Sequence, residues 1–397
     1  MADRKNYQNL TKEVSTFRSG KYQFSAVHDE AQLAPLLLEC RIMRDLIKNL
    51  PVFPTLSAQL SHENLLKRYI YSTSIIDGSL INSDSVSEIL KDGTRKNKAA
   101  KEVLDMRDAV LGVLSDESDG PIEVTEEAIK GLHAIITGLN RTKTAAGESY
   151  RTEATAIGSA DQGVGHFFTH TPPKILSDIK VLMHSFVAWI NQREIMEMDP
   201  LLRSALASFH LFLIHPFDNA SGKTARLLET QILHQAGGRF APLLRASFYN
   251  DEKDKFFSSI KASLNSRNDV TPLFEFALSA HLKSLKEINE TVTSSIRKIA
   301  LKDYFFTLRS SRELTDKQYS LVTSLLTDPT PVKLSDLFKV NPYRVIYSSS
   351  CERTARRDLS KLTEMNLLSP REDKTFALNL KAIGRREGTR KSIKGRC

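Results

Sequence analysis

Cysteine is scarce in this sequence, and the three that occur, Cys40, Cys351 and Cys397, lie far apart along 397 residues. Their spacing fits neither a zinc site nor a disulfide framework, which excludes folds stabilised by either. The sequence has no run of about 18 apolar residues, so a membrane-spanning helix and a membrane partner are excluded as well. The start of the chain is polar and has no apolar stretch like that of a secretory signal peptide. We therefore expect a cytoplasmic protein.

Apolar residues make up 41% of the chain, which is enough for ordinary buried cores, so wholesale disorder is excluded. The net charge of +9 favours an anionic partner but does not choose among a nucleotide, a nucleic acid and an acidic protein surface. The length is that of roughly two to three domains of about 150 residues each.

Helical periodicity dominates most of the chain, so we expect a mostly α fold. It is interrupted between residues 140 and 173, where several glycines and a Thr-Pro-Pro sequence occur. Such a composition is typical of a long loop with a short hairpin, and long loops inside compact domains are often functional. Near the C-terminus, three short helical patterns precede a hairpin pattern around residues 371–374. This is the element order of a winged helix-turn-helix domain.

A second loop, residues 214–226, has the sequence IHPFDNASGKTAR and leads into an apolar helical pattern. Its residues Ala220, Ser221 and Gly222 are small, so a ligand can approach the main-chain N–H groups closely. A helix N-terminus also carries a partial positive charge. Together these features predict an anion-binding site suited to phosphate oxygens.

Three further residues of this loop add chemistry to the predicted site. Lys223 and Arg226 lie one turn apart and supply cationic donors for phosphates. His215 lies just ahead of them, where a neutral imidazole can take a proton from an attacking hydroxyl. The constellation suits phosphoryl or nucleotidyl transfer. The residue types alone also fit a loop in which Ser221 caps the helix and His215 is buried in the core.

The loop resembles the motif of the Fic family, usually written His-Pro-Phe-x-(Asp/Glu)-Gly-Asn-Gly-Arg-x-x-Arg. Three other blocks resemble the family in the same order. Residues 73–78, TSIIDG, resemble its inhibitory motif, (Ser/Thr)-x-x-x-Glu-(Gly/Asn). Residues 147–158 with 170–173 resemble its flap hairpin, and residues 205–217 resemble the helix that leads into the motif.

The resemblance implies a mostly α fold with a Fic-type helical core and a β-hairpin flap, to which the C-terminal winged helix-turn-helix domain is added. The predicted parts are an N-terminal helical region (1–124), a Fic core (125–283, with its flap at 146–170), a linker helix (284–312), a winged helix domain (313–382) and a basic disordered tail (383–397).

The resemblance also implies roles for individual residues. His215 is then the general base, and the position of the metal ligand falls on Asn219. The nucleotide-binding residues are Ser221, Gly222, Lys223 and Arg226. The inhibitory residues are Thr73, Asp77 and Gly78. The flap residues that would hold a target by strand addition are Thr155, Ala156, Ile157 and Gly158.

Several positions depart from the family motif. Asn219 stands where a carboxylate would hold Mg²⁺, so we expect binding of this cofactor to be weakened. Ser221 replaces Asn, and Lys223 replaces Arg, which exchanges a bidentate fork for a point charge. Asp77 is one methylene shorter than the inhibitory Glu, and we expect its pair with Arg226 to be stretched or bridged by water. The alternative is a solvated Asp77 at a helix end.

Residues 351–368 resemble the recognition helix of bacterial winged helix regulators. The residues predicted to contact DNA are Arg353, Thr354, Arg356, Arg357 and Lys361. The alternative is a domain used for dimerisation or for docking of a target.

We therefore expect a nucleotidyltransferase of reduced or altered activity, which transfers AMP or another nucleotide moiety to a Ser, Thr or Tyr hydroxyl of a target protein. ATP or another nucleotide is then the substrate, and DNA and a second copy of the chain are further candidate partners. The alternative function is a catalytically impaired, nucleotide-binding regulator that binds DNA through the winged helix.

Overall fold

The fold is described from a computed structural model, which covers residues 10–50, 62–116, 120–139, 150–158, 169–238, 240–266 and 269–382. Helices make up most of these residues, so the expected mostly α fold is confirmed. Parts of the predicted flap (146–149 and 159–168) and the predicted basic tail (383–397) lie outside the described residues. Within the described ranges, no helix combines the length and the apolar character needed to cross a membrane.

The chain divides into two compact units, residues 1–289 and 290–397. The first unit begins with two short strands, β1 (Lys12–Ser15) and β2 (Lys21–Phe24). Its helices are α1 (Glu30–Lys48), α2 (His62–Ile76), α3 (Ser83–Asp92), α4 (Lys98–Leu114), α5 (Glu126–Ile136), α6 (Leu176–Ile190), α7 (Arg193–Met196), α8 (Pro200–Ile214), α9 (Ser221–Gln235), α10 (Ala241–Asp251) and α11 (Lys253–Asn265). Helix α12 (Thr271–Ser310) begins in the first unit and continues into the second.

Helices α8 and α9 pack against each other and hold the loop that the sequence predicts as the site. All residues of α8 from Leu202 to Ile214 are buried, and most of them are apolar. The helix starts at Pro200, whose fixed φ suits a first helical position, and the Asp199 carboxylate accepts a hydrogen bond from the Leu201 N–H. Helix α9 is also mostly buried, so the loop between them is fixed at both ends.

The N-terminal strands form an antiparallel hairpin that covers helix α6. Lys12 pairs with Phe24 and Ser15 with Lys21. Phe24 is fully buried and stacks on Trp189 of α6, with ring centroids 5.5 Å apart. The indole N–H of Trp189 donates to the carbonyl of Leu10, 3.0 Å away. The hairpin is therefore part of the hydrophobic core of the first unit.

Among the described residues of the second unit, four helices and a hairpin follow the end of α12. They are α13 (Asp316–Thr327), α14 (Asp336–Lys339), α15 (Tyr343–Ile346), α16 (Glu352–Glu364), β3 (Leu368–Pro370) and β4 (Phe376–Leu378). Asp358 of α16 is buried and accepts hydrogen bonds from Gln318 Nε2 at 2.8 Å and from the Tyr347 hydroxyl at 3.2 Å. These contacts fix α16 within a core of apolar side chains. The interpretation of this unit as a winged helix-turn-helix domain stays a prediction.

Candidate active site

The loop between α8 and α9 is shaped by two residues in the left-handed region, His215 (φ 49°) and Ala220 (φ 55°). Its closure is completed by the Ser221 hydroxyl, which accepts a hydrogen bond from the Phe217 N–H and donates one to the Phe217 carbonyl, both at 3.0 Å. The N-cap position of α9 is taken by Ala220, whose side chain forms no hydrogen bond to the helix. The alternative in which Ser221 caps the helix is therefore wrong, because its hydroxyl is used to hold the loop.

The first turn of α9 offers unused hydrogen-bond donors. Among the described residues, none accepts a hydrogen bond from the N–H groups of Ser221, Gly222 or Lys223. Such groups at a helix N-terminus attract anions, both as donors and through the positive end of the helix dipole. Ser221 and Gly222 are buried, so this end of the helix is shielded from bulk water. The structure thus places the two residues where the sequence predicts an anion site.

The carboxylate of Asp77 lies against this first turn. Its Oδ1 is 2.8 Å from the position that a Cβ on Gly222 would take, so a side chain there would collide with the carboxylate. Arg226 is only 3% exposed, and its Nη2 donates to Asp77 Oδ1 at 2.5 Å and to the Thr73 carbonyl at 3.2 Å. A protein carboxylate therefore contacts Gly222 and Arg226, two of the residues predicted to bind phosphate.

The expectation of a stretched or water-mediated Asp77–Arg226 pair is wrong, because the two side chains are in direct contact. The reason lies in the backbone. Helix α2 ends next to the first turn of α9, so a short side chain is sufficient to reach Arg226. Gly78 ends α2 in the left-handed conformation (φ 86°), and its N–H bonds the Ile75 carbonyl at 3.0 Å. Asp77 is thereby held on the last turn.

Lys253, the first residue of α11, also reaches the end of α2. Its Nζ donates to the Ile75 carbonyl at 3.2 Å. Burial lowers the pKa of this lysine, while the Asp77 carboxylate raises it and the Arg226 charge lowers it. Lys253 and Arg226 thus both contact the end of α2, next to Asp77. No sequence pattern pointed to Lys253, because it lies outside every block that resembles the family.

His215 is held at the end of α8 by its backbone. Its N–H donates to the Leu211 carbonyl at 3.0 Å, and its carbonyl accepts from Arg151 Nε at 2.7 Å. Burial of the imidazole lowers the pKa of His215 to about 4, and the Asp77 carboxylate acts in the opposite direction. The ring is therefore neutral at pH 7, which is the form that accepts a proton.

Arg151 joins the base of the predicted flap to the motif loop. Besides the His215 carbonyl, it donates to the carbonyl groups of Glu153 at 2.6 Å and Pro173 at 2.5 Å. Its own N–H bonds the Pro216 carbonyl at 2.9 Å. Arg151 is 1% exposed, so these bonds lie away from water. This arginine lies in the flap block but in no predicted site, and the structure shows that it positions the loop.

The described part of the flap contains one antiparallel bridge. The backbone of Ile157 exchanges both hydrogen bonds with His170, at 2.9 and 3.0 Å. Ile157 and Gly158 are buried, Thr155 is half-buried and Ala156 is exposed. Neighbouring residues of a strand direct their backbone groups to opposite edges. An added strand would therefore form hydrogen bonds with the backbone of the residues next to Ile157, because the N–H and the carbonyl of Ile157 already bond to His170.

Asn219 lies on the loop with an exposed side chain, and His133 Nε2 is 3.2 Å from its carbonyl oxygen. The ring of His133 on α5 stacks on Phe217 of the loop, with centroids 3.8 Å apart, and so helps to hold the loop in place. The described residues contain no group of three or more His, Cys, Asp or Glu side chains that could hold a metal. The role of Asn219 as a magnesium ligand stays a prediction.

The residues predicted to contact DNA lie on α16 in different environments. Arg353 and Arg357 are exposed, and Arg356 is exposed but paired with Glu352 at 2.7 Å. The Thr354 hydroxyl is 3.4 Å from Cys351 Sγ. Lys361 donates to the Glu313 carbonyl at 2.6 Å and so helps to hold the unit together. Arg353 and Arg357 are thus the two arginines on this helix that no described residue engages.

Comparison with known proteins shows which family this region is similar to. Residues 123–233, which include the loop and most of α9, match the family described as Fic/DOC. This part of the chain is similar to Fic domains. Its structure also resembles a crystal structure of a Fic family protein from Desulfovibrio desulfuricans G20, with a TM-score of 0.50 and 16% identity over 92% of this chain and 97% of that one.

Curated relatives of the Fic domain extend the similarity beyond the matched region. Protein adenylyltransferase fic-1 of Caenorhabditis briggsae is 28% identical over 254 residues, which are 57% of this chain and 47% of that protein. Protein adenylyltransferase Fic of Drosophila erecta is 26% identical over 224 residues, 55% of this chain and 41% of that protein. The chain thus spans less than half the length of these relatives.

Proposed function

We propose that this chain transfers AMP, or another nucleotide moiety, from ATP to a hydroxyl group of a target protein. The observation that carries the proposal is the first turn of α9, where N–H donors without a described acceptor and Arg226 lie beside the Asp77 carboxylate, with the neutral imidazole of His215 at the other end of the loop. The names of the curated relatives, protein adenylyltransferases, agree with it.

In the proposed reaction, His215 takes the proton of the target hydroxyl as its oxygen attacks the α-phosphorus of ATP. A bond forms between that oxygen and phosphorus, the bond to the β-phosphate oxygen breaks, and pyrophosphate leaves. The N–H groups of Gly222 and its neighbours hold phosphate oxygens, and Arg226 neutralises their charge. Lys223 adds a positive charge at the edge of the site. Thr155 to Gly158 hold the target segment beside the flap.

We further propose that the chain rests in an inhibited state. Asp77 already contacts Arg226 and the first turn of α9, so ATP has to displace a carboxylate before its phosphates can bind. Thr73 supports this state through its carbonyl, and Gly78 ends the helix that carries Asp77. The reduced activity expected from the motif would then come from occupation of the site as well as from residue changes.

Transfer of label from α-phosphate-labelled ATP to the chain itself or to lysate proteins tests the reaction. We expect His215→Ala to lower the rate about 10²- to 10⁴-fold, the range of general base catalysis. His184→Ala, an exposed histidine on α6, serves as the control and should leave the rate unchanged. Equal rates in the two variants would refute the role of His215. Asn219→Asp should lower the Mg²⁺ concentration needed if Asn219 stands at the metal position.

A second candidate activity, DNA binding by the second unit, is favoured by the exposed arginines on α16. We propose that Arg353 and Arg357 contact phosphates or bases, with Thr354 and Arg356 beside them. Loss of salt-dependent duplex binding in the double variant Arg353→Ala, Arg357→Ala would support this, with Lys302→Ala on α12 as the control. Unchanged binding would refute it and leave docking of a target or of a second chain as the use of this unit.

A further inference from the structure

The last turn of α2 presents three oxygen atoms to two cations. Arg226 Nη2 contacts the Thr73 carbonyl at 3.2 Å and Asp77 Oδ1 at 2.5 Å. Lys253 Nζ contacts the Ile75 carbonyl, which lies between them in sequence, at 3.2 Å. The carbonyl groups of a final helical turn can accept hydrogen bonds from outside their helix and carry the negative end of its dipole, and the Ile75 carbonyl also accepts one from the Gly78 N–H. The end of α2 is therefore a polyvalent, oxygen-rich group bound by both cations.

The surroundings of this turn are those of an anion site. The first turn of α9 supplies the positive end of a second helix, and Gly222 leaves room for the Asp77 carboxylate. Arg226 is buried, and the lysine is half-buried close to it. Two like charges in a partly buried place repel each other, and oxygens that carry a full or partial negative charge offset this repulsion. Here those oxygens come from α2.

A polyphosphate chain offers the same pattern of several negatively charged oxygens at short spacing. When it displaces the end of α2, both cations lose their oxygen partners at once. The family resemblance implies that Arg226 binds phosphate, whereas it implies no role for Lys253. An ammonium at the same cluster would be left without a partner unless it also contacts the incoming ligand. Lysine binds phosphate well as a point charge.

We propose that Lys253 is a phosphate-binding residue of this site, which exchanges the Ile75 carbonyl for a phosphate oxygen when a nucleoside triphosphate displaces the end of α2. This inference rests on the proposed function. In the resting chain, Lys253 holds the turn that carries Asp77. In the nucleotide-bound chain, it holds the ligand that has replaced that turn.

The phosphate-binding role is tested where Asp77 no longer competes. Calorimetric titration with ATP and with inorganic tripolyphosphate is carried out on Asp77→Ala and on the same chain with Lys253→Met, Lys253→Arg or Lys255→Met. Lys255 lies on the same helix, is 72% exposed and pairs with Glu252, so it is the matched control. We expect Lys253→Met to weaken both ligands about tenfold or more, Lys253→Arg to recover part of the loss, and Lys255→Met to change little.

Two results would separate failure of this inference from failure of the proposed function. If Asp77→Ala binds triphosphate and Lys253→Met binds it equally well, Lys253 is not a phosphate ligand. If Asp77→Ala binds neither ligand, the nucleotide site itself is refuted. The resting role is tested by hydrogen exchange with Asp77 intact. We expect the Gly78 and Ser79 amides to exchange faster in Lys253→Met than in Lys255→Met, and equal rates would overturn that half of the proposal.

Discussion

Removal of the Asp77 carboxylate should convert a resting chain into one that binds ATP readily. The carboxylate makes a direct contact with a guanidinium that is 3% exposed, at 2.5 Å, and its own side chain is 26% exposed. A hydrogen bond between charged groups contributes about 1.5–3 kcal/mol in such places. If ATP has to break this contact before binding, Asp77→Ala should tighten the apparent affinity for ATP by roughly 10- to 150-fold.

The assay is calorimetric titration of ATP into the wild-type chain and into Asp77→Ala, followed by measurement of labelled AMP transfer. Asp84→Ala, at an exposed aspartate in the first turn of α3, controls for the loss of one negative charge. Asp77→Ala removes the carboxylate partner of the buried Arg226 and leaves its contact with the Thr73 carbonyl, so the thermal stability of Asp77→Ala should depend more on added ATP than that of the wild type. An unchanged ATP affinity, with the same dependence of stability on ATP, would refute the competition between Asp77 and the nucleotide.

Three further changes probe the loop and its imidazole. Ser221→Ala removes both hydrogen bonds to Phe217 and should lower the free energy of unfolding, measured with denaturant, by about 1–3 kcal/mol. A decrease of no more than about 0.3 kcal/mol would show that the loop does not need these bonds. Gly222→Ala places a methyl group 2.8 Å from Asp77 Oδ1, so it should disturb the Asp77–Arg226 contact. We expect the Gly78 amide to exchange its hydrogen faster than in the wild type. An unchanged exchange rate would contradict the close packing. The folded-state pKa of His215, about 4, lies below its ordinary value of 6.5, so the neutral ring contributes stability that is present above pH 6.5 and lost as the pH falls towards 4. His215→Gln should therefore lose less stability than the wild type between pH 7 and pH 4.5, and equal losses in urea unfolding would show that the ring is not buried in the neutral form.

The features of the site that follow local sequence patterns could be predicted. The small residues before an apolar run predict the helix N-terminus at Ser221, and Gly78 after an amphipathic run predicts the end of α2. Both depend on the conformational preferences of a few consecutive residues. The helical class of the fold follows from periodicity in the same way.

The contacts across the site could not be predicted in this way, because they depend on where distant backbones are placed. Side-chain length alone suggested that Asp77 would fall short of Arg226, but the position of α2 against α9 decides the distance. Lys253 belongs to no motif and reaches the site only because α11 starts beside the end of α2. The use of the Ser221 hydroxyl within the loop depends on the left-handed turn at Ala220, which a non-glycine residue seldom adopts.

The N-terminal hairpin has a practical consequence for work on isolated fragments. The region that matches the Fic family begins at residue 123, yet Trp189 inside it is covered by Phe24 and bonded to the carbonyl of Leu10. His210, also inside it, lies 3.1 Å from the Tyr22 hydroxyl. A protein cut at the family boundary would expose these aromatic groups to water, at about 1.5–3 kcal/mol for each large apolar side chain. Such a fragment should aggregate, whereas one that keeps residues 10–289 retains these contacts.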